Sequence, residues 1–194
     1  MGGRTRINGA LFYYDYSDFQ SFFQQGLSFA VQNLDATVLG GEIEVITNPW
    51  DGWEFMFGGS FLDAEQEDVD SGTTVRDRQM PFSPDVSLNG LGRYDFAAIM
   101  GGRMALQIDW SWTDKFTMNA IDHPSLVQED FWLANAKVGW TSSDNRLHLD
   151  VWVKNFTDTE YYVNGFDLET FSAAAIKVPS APRWFGGTIR YNWD

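Results

Sequence analysis

The residues best suited to binding chemistry form one acidic run. Within the stretch DAEQEDVDSG the side chains that carry carboxylates are Asp63, Glu65, Glu67, Asp68 and Asp70. Carboxylate oxygens are the ligands that Ca²⁺ and Mg²⁺ prefer, so one interpretation is a divalent cation site. The other interpretation is a solvated loop. The sequence favours the loop, because Asp68, Asp70 and Gly72 match only a fragment of a calcium-binding loop.

The common catalytic motifs are missing from this sequence. It contains no Gly-x-Ser-x-Gly nucleophile elbow, no phosphate-binding loop and no His-Glu-x-x-His zinc motif. Its two histidines, His123 and His148, are isolated in different segments, and such histidines are more often structural than catalytic. The absence of cysteine excludes a disulfide framework, a thiolate metal site and a cysteine nucleophile. We therefore expect no enzymatic activity and no cofactor.

Composition narrows the class of protein further. The 194 residues suffice for one domain, and 44% hydrophobic content indicates a folded chain. Lys and Arg number 13 against 27 acidic residues, a formal charge of −14, which argues against a nucleic-acid partner. No stretch approaches the ~20 apolar residues of a membrane-spanning helix. The first residues, MGGRTRINGALFYY, lack the apolar core of a signal peptide.

Apolar and polar residues alternate with a period of two in eight segments. In RMALQIDWSWT, for example, Met104, Leu106 and Ile108 alternate with Arg103, Ala105 and Gln107. This pattern predicts strands with one apolar and one polar face, and no segment has a convincing helical period. The aromatic residues on the predicted apolar faces include Trp53, Phe55, Phe57, Trp110, Trp112, Trp132, Trp140, Phe185, Tyr191 and Trp193. The charged or titratable residues on the predicted polar faces include Glu42, Glu44, Arg93, Arg103, Asp109, Lys137, Arg146, His148 and Asp150.

The connections between these segments alternate between short and long. The short ones, Thr47–Gly52, Phe96–Gly102 and Thr141–Asn145, are rich in turn residues. The long ones span residues 15–36, 63–84, 114–129 and 155–182. Short turns at one end and long loops at the other are typical of an outer-membrane β-barrel. The alternative is a soluble antiparallel sandwich or barrel. The charged polar faces and the aromatic residues that bracket the apolar faces favour the membrane fold.

The C-terminal sequence resembles a known family. KNFTDTEYYVNG and the later PSAPRWFGGTIRYNW resemble the C-terminus of TonB-dependent outer-membrane receptors, where an Asn-aromatic-Thr/Phe-Asp-x-x-Tyr stretch precedes a last strand beginning Pro-Arg-x-aromatic-Gly. The matching residues are Asn155, Phe156, Asp158, Glu160, Tyr161, Tyr162, Pro182, Arg183, Phe185, Gly186, Tyr191 and Trp193. Three further stretches, beginning at Ala10, Asn33 and Met80, are similar to earlier strands of the family in the same order.

The resemblance implies an all-β fold: an antiparallel up-and-down transmembrane β-barrel segment of about eight strands, with short periplasmic turns and long extracellular loops. Whole receptors of this family resemble a barrel of about twenty-two strands filled by an N-terminal plug domain. Residues 1–194 would then be the C-terminal part of the barrel, without the plug and the earlier strands. The polar faces would contact the plug and line the transport path. Gly40, Gly58 and Gly186 would permit close approach or bending of strands, and Arg146 and Asp109 could pair across strands.

The function that the resemblance implies is uptake of a scarce nutrient across the outer membrane of a Gram-negative bacterium. The implied substrates are ferric siderophores, haem, cobalamin or carbohydrates. The expected partners are outer-membrane lipid, lipopolysaccharide, the missing plug and remaining strands, and the energy-coupling TonB protein through the missing N-terminal part. Two alternatives remain open at this stage. One is a complete small eight-stranded structural or adhesive barrel, and the other is a soluble β-protein.

Overall fold

The computed structural model describes residues 4–25, 28–168 and 174–193. Its secondary structure is almost entirely β. The strands are β1 (Thr5–Gln25), β2 (Ser28–Thr47), β3 (Trp53–Asp70), β4 (Val75–Gln79), β5 (Val86–Asp95), β6 (Gly102–Thr113), β7 (Phe116–Thr117), β8 (Val127–Gln128), β9 (Phe131–Ser142), β10 (Leu147–Lys154), β11 (Tyr162–Asp167), β12 (Ala175–Pro179) and β13 (Trp184–Tyr191). One 3₁₀ turn, Pro124–Leu126, precedes β8. Within the described residues no helix is long and apolar enough to cross a membrane.

The long strands form one antiparallel sheet. Their order is β1-β2-β3-β5-β6-β9-β10-β13, and β4 adds to β3 beside this path. Each strand pairs with the strand that follows it in this path, as the sequence predicted for an up-and-down sheet. The two ends of the sheet, β1 and β13, do not pair with each other within the described residues. The pairs β7-β8 and β11-β12 form two small separate sheets.

The first two predicted long loops are largely strand. Residues 15–25 and 28–36 continue the β1-β2 ladder from Phe19 opposite Leu34 up to Gln25 opposite Ser28, after a β-bulge between Tyr16 and Phe19. The prediction failed here because the segment mixes polar residues with Phe side chains, which favour strands. β3 has 18 residues, and at about 3.4 Å per residue it is about 60 Å long. It therefore extends well beyond the ~25 Å apolar band of a membrane barrel.

The apolar face of the sheet lacks a covering protein layer within the described residues. Leu11 and Phe185 are each 82% exposed, and Ile189 is 78% exposed. A soluble sandwich would bury such residues against a second sheet. The buried hydrophobic cluster lies elsewhere, around Phe23 and Val69 near the outer ends of β1 and β3. The main sheet is therefore a single layer. The small buried core lies outside this layer, near the outer ends of β1 and β3.

Candidate functional site

The strand register collects the predicted charged residues on one face of the sheet. Glu54 lies opposite Arg93, Arg93 opposite Gln107, and Gln107 opposite Lys137. Directly opposed residues point to the same face, and side chains two positions apart on a strand also share it. The same rule places Glu42, Glu44, Arg103, Asp109, His148 and Asp150 on this face. We call it the charged face.

A cavity of about 550 Å³ lies on the charged face near the short turns. We call it the basin. The cationic residues that line it are Arg93, Arg103, Lys137 and Arg190, and the acidic ones are Asp95 and Asp150. Two ion pairs lie in its lining: Arg93 Nη2 lies 2.8 Å from Asp95 Oδ1, and Lys137 Nζ lies 3.1 Å from Asp150 Oδ2. With four cations and two carboxylates in its lining, the basin is cationic in an otherwise acidic chain.

Arg146 lies outside the strand to which the alternation assigned it. It ends the turn of residues 143–146, and β10 begins at Leu147. The turn is set by Asp144, whose carboxylate accepts hydrogen bonds from Ser142 Oγ at 2.5 Å and from the Arg146 backbone N–H at 3.1 Å. These hydrogen bonds, the serine hydroxyl first, lower the pKa of Asp144 below its usual range.

The suggested Arg146–Asp109 pair does not form. Asp109 Oδ2 instead accepts a hydrogen bond from Asn135 Nδ2 at 2.6 Å. Asn135 Oδ1 in turn accepts a hydrogen bond from the backbone N–H of Asn155 at 2.9 Å. The two charges cannot meet because Asp109 lies opposite Asn135 in the register, whereas Arg146 lies at the turn beyond the other end of β9.

The aromatic residues of the apolar face lie in two clusters. Near the short turns, Trp53 contacts Phe55 and Tyr94, with ring centroids 5.3 and 4.7 Å apart. Nearer the loops, Trp132 contacts Trp110 at 5.2 Å and Trp112 at 6.3 Å. The remaining predicted members of this face are spread along it: Phe57, Trp140, Phe185 and Tyr191 on strands, and Trp193 just after β13. Trp132 and Trp140 lie at opposite ends of the apolar run of β9, about 27 Å apart at strand spacing.

The structure brings the two halves of the C-terminal motif together. Arg183 donates its backbone N–H to Asp158 Oδ1 at 3.1 Å, and its guanidinium lies 3.2 Å from Asp158 Oδ2. Asn155 is buried and has a positive φ of 49°. Its side chain holds the following turn through hydrogen bonds with the backbone carbonyl and N–H of Thr159.

The other motif residues surround this turn. Tyr161 stacks on Phe131 with centroids 4.5 Å apart. Tyr162 and Pro182 line a small cavity of about 290 Å³ beside Asp158. Gly186 lies on β13 opposite Trp152. The motif thus fastens the end of β10 to the start of β13.

The acidic run does not converge. Asp63 and Glu65 lie on β3 opposite Leu39 and Thr37. The Asp68 backbone is bent at a positive φ of 51°, and Asp70 Oδ1 accepts the backbone N–H of Gly72 at 2.7 Å. In the part of the chain that the structure describes, no group of three or more acidic, His or Cys side chains has the arrangement of a metal site.

A layer of outer segments that the sequence did not predict lies above the sheet. It comprises β4, residues 114–130, and the β11-β12 pair, and we call it the outer layer. Arg78 of β4 is 6% exposed and donates to the Ile121 carbonyl and to Thr74 Oγ1. Burial lowers the pKa of Arg78. Lys177 Nζ donates to the Val127 carbonyl at 2.9 Å. These contacts couple three segments that the sequence predicted only as separate loops.

Gln66 of β3 is unusual because it is a polar residue buried without side-chain hydrogen bonds among the described residues. It is fully buried, and neither its amide nitrogen nor its amide oxygen has a hydrogen-bond partner among the described residues. It lies opposite Arg78 in the β3-β4 ladder. Sequence reasoning missed both residues, because a polar residue within a predicted loop gives no sign that it will be buried.

A single antiparallel sheet of long strands, apolar on one face and charged on the other, defines the wall of a transmembrane β-barrel. Residues 1–156 match the family model described as TonB dependent receptor-like, beta-barrel. The chain belongs to this family. It is accordingly an outer-membrane protein of a Gram-negative bacterium, and the family consists of transporters and not of enzymes.

Solved structures share the fold. The ferric yersiniabactin uptake receptor FyuA from Yersinia pestis superposes with a TM-score of 0.82 at 17% identity, over 100% of this chain and 28% of that chain. The ferric preacinetobactin receptor BauA from Acinetobacter baumannii gives 0.74 at 15% identity, over 98% and 28%. The copper transporter OprC gives 0.74 at 16% identity, over 98% and 29%. The chain therefore spans less than a third of the structures that it matches.

Proposed function

We propose that this chain is the C-terminal part of the barrel wall of a receptor that takes up a scarce nutrient by the TonB-dependent route. The open eight-strand path is the observation that carries the proposal. Both of its edge strands, β1 and β13, have backbone N–H and C=O groups along their outer edges that need hydrogen-bond partners. Unpaired backbone groups are costly within a bilayer, so a membrane sheet must close on itself or on further strands.

The apolar face faces lipid in this proposal. Its exposed side chains include Leu11 of β1, Val151 of β10 and Ile189 of β13. Trp132 and Trp140 are about 27 Å apart along the strand, which at a tilt of about 40° spans about 21 Å of the ~25 Å apolar band between the aromatic girdles. The charged face then lines the interior, where it contacts the plug domain and the path of the nutrient. The strand ends beyond the band, with the outer layer, meet lipopolysaccharide and the medium.

A ferric siderophore is the first candidate for the nutrient, because FyuA and BauA are receptors for such compounds. Haem, cobalamin and carbohydrates are the other candidates of this receptor class, and the likeness to OprC adds copper. The chain contributes wall and outer loops. We assign coupling to TonB and movement of the plug to other parts of the receptor.

Uptake in the source bacterium tests the proposal. The gene that encodes this chain is deleted, and import of labelled ferric siderophores, haem, cobalamin, copper and oligosaccharides is compared with that of the parent strain. One substrate class should lose import, and the intact gene should restore it. A gene copy lacking residues 155–193 serves as the matched control and should fail to restore it, because β13 is then lost. Unchanged import of every substrate would reject the receptor role.

A complete eight-stranded structural barrel is the alternative. Eight strands suffice to close a barrel whose interior is filled by side chains. The charged face disfavours it, because the basin alone would place six charged side chains in a narrow interior.

A further inference from the structure

We propose that the basin binds a carboxylate, and that Arg103 and Arg190 are the residues that hold it. The position of the basin inside a barrel rests on the proposed function, but the binding chemistry does not. The four cations of the basin differ in their partners. Arg93 and Lys137 are each engaged by an aspartate. Arg103 and Arg190 form no ion pair with an acidic side chain within residues 4–25, 28–168 and 174–193.

The two arginines lie in one row across four strands. Arg103 of β6 is opposite Thr141, Thr141 is opposite His148, and His148 is opposite Arg190. Three strand spacings separate the two arginine backbones by about 14 Å. Both side chains border the same cavity, and they can close on a ligand lying above Thr141 and His148.

The row offers hydrogen-bond donors and little competing negative charge. Among the described residues, Arg103 Nη2 donates to the neutral Asn145 Oδ1 at 2.5 Å, a contact that a ligand can displace. Thr141 Oγ1 and His148 Nδ1 lie between the arginines and contact each other at 3.1 Å, and His148 Nε2 lies 3.1 Å from the Asn145 carbonyl oxygen, so the arginines are the donors that the row offers. The carboxylates of Asp95 and Asp150 lie in the next row of the ladder, each beside its own cation.

A carboxylate is the ligand chemistry that fits this row. The guanidinium fork matches the two oxygens of a carboxylate, and the charge assistance makes such hydrogen bonds about twice as strong as neutral ones. A cavity of about 550 Å³ admits a small organic acid or a few residues of an acidic peptide segment. The two sources share the same chemistry, so the experiment has an arm for each.

The test replaces Arg103 and Arg190 by lysine, one at a time, in the protein as its gene expresses it. Solubilised outer membranes are treated with a water-soluble carbodiimide, with and without added succinate, and the products are mapped by mass spectrometry. A carbodiimide joins a lysine amine to a carboxylate that contacts it: an amide bond forms, and the carbodiimide leaves as its urea. The native Lys137–Asp150 pair, at 3.1 Å, is the internal positive control. The exposed Lys115 outside the basin reports random coupling.

The expected result is more coupling at position 103 or 190 than at Lys115. Coupling to a glutamate or aspartate from a segment outside the basin identifies a polypeptide source. A succinate adduct that forms only in the presence of the probe identifies a free acid, and either product supports the proposal. The proposal is overturned if Lys137 couples to Asp150 while both new lysines couple no better than Lys115. Coupling of the new lysines to Asp150 alone would overturn it as well.

Discussion

Trp152 of β10 covers Gly186 of β13 across the strand pair. A Cβ atom added at position 186 would lie 2.5 Å from Trp152 Cζ2, far inside van der Waals contact. The indole has little freedom to retreat, because its ring meets Trp184 edge-on at 4.6 Å. Gly40 and Phe12 repeat the arrangement at the other edge of the sheet, with a would-be contact of 2.4 Å. Large rings therefore occupy the space that glycines leave open on the charged face.

Gly186→Ala should lower the stability of the protein, because the added methyl group overpacks the indole. Such overpacking costs about 1–3 kcal/mol. The measurement is the free energy of unfolding by urea in detergent micelles. Gly92→Ala is the matched control, since its Cβ would meet Phe55 at an ordinary 3.5 Å. If Trp152→Ala does not reduce the cost of Gly186→Ala, the indole is not the cause.

Asn155→Ala should be among the most damaging substitutions in the C-terminal motif. Alanine loses the side-chain hydrogen bonds to the Thr159 backbone and is strained at a φ of 49°. The expected cost in unfolding free energy is about 2–4 kcal/mol. Asn155→Gly loses the same hydrogen bonds without the strain, so it should be less destabilising than alanine. Equal effects of the two variants would mean that backbone conformation does not contribute.

Arg78→Met should loosen the outer layer. The substitution removes the donors to the Ile121 carbonyl and to Thr74, and leaves the carbonyl without that partner. We expect chymotrypsin to cleave within residues 116–131 on the order of tenfold faster, from a loss of roughly 1–3 kcal/mol. Arg76→Met is the control, because its ion pair with Asp122, at 3.4 Å, is solvent-exposed and contributes little. Equal cleavage of both variants would refute the coupling by Arg78.

Ser142→Ala should raise the pKa of Asp144 toward its ordinary value, because the hydroxyl hydrogen bond is the main cause of the lowered pKa. A carboxyl with a lowered pKa in the folded state stabilises that state at pH values above the unfolded pKa. The stabilisation is lost as pH falls through the folded pKa. The stability difference between Ser142→Ala and the parent should therefore shrink as the pH is lowered below about 3.8, the ordinary value. An equal difference at acid and neutral pH would exclude Asp144 as its origin.

The alternation of residue types sufficed to predict the strands of the main sheet. In β9, the run from Trp132 to Trp140 keeps its period without interruption, and the structure shows one continuous strand there. Strand ends were harder to predict. Pairing beyond Tyr16 depends on the partner strand β2 and on a β-bulge that the local sequence does not indicate. Arg146 was misplaced for a similar reason: turn hydrogen bonds from Ser142 and Asp144 end the strand before it.

The contacts between distant segments could not be predicted from sequence. Arg78 and Ile121 are 43 residues apart, and nothing local marks either as a partner. The basin likewise needs four strands in register before Arg103 and Arg190 border one cavity. The C-terminal motif was easier to find, since Asn155, Asp158 and Arg183 occur in a pattern that resembles the family. The resemblance did not reveal that Asp158 and Arg183 bind each other.

Pairing between β1 and β13 is the most direct test of the central claim that this chain is an open part of a larger wall. The chain has no cysteine, so introduced pairs report without background from it. Leu11→Cys is combined in turn with Phe185→Cys, Gly187→Cys and Ile189→Cys, and oxidation is followed in outer membranes. Leu149→Cys with Ile189→Cys, which are opposed in the β10-β13 ladder, is the positive control. We expect a disulfide in the control alone, whereas a disulfide within one chain between Leu11→Cys and any β13 position would show a closed small barrel and contradict the claim.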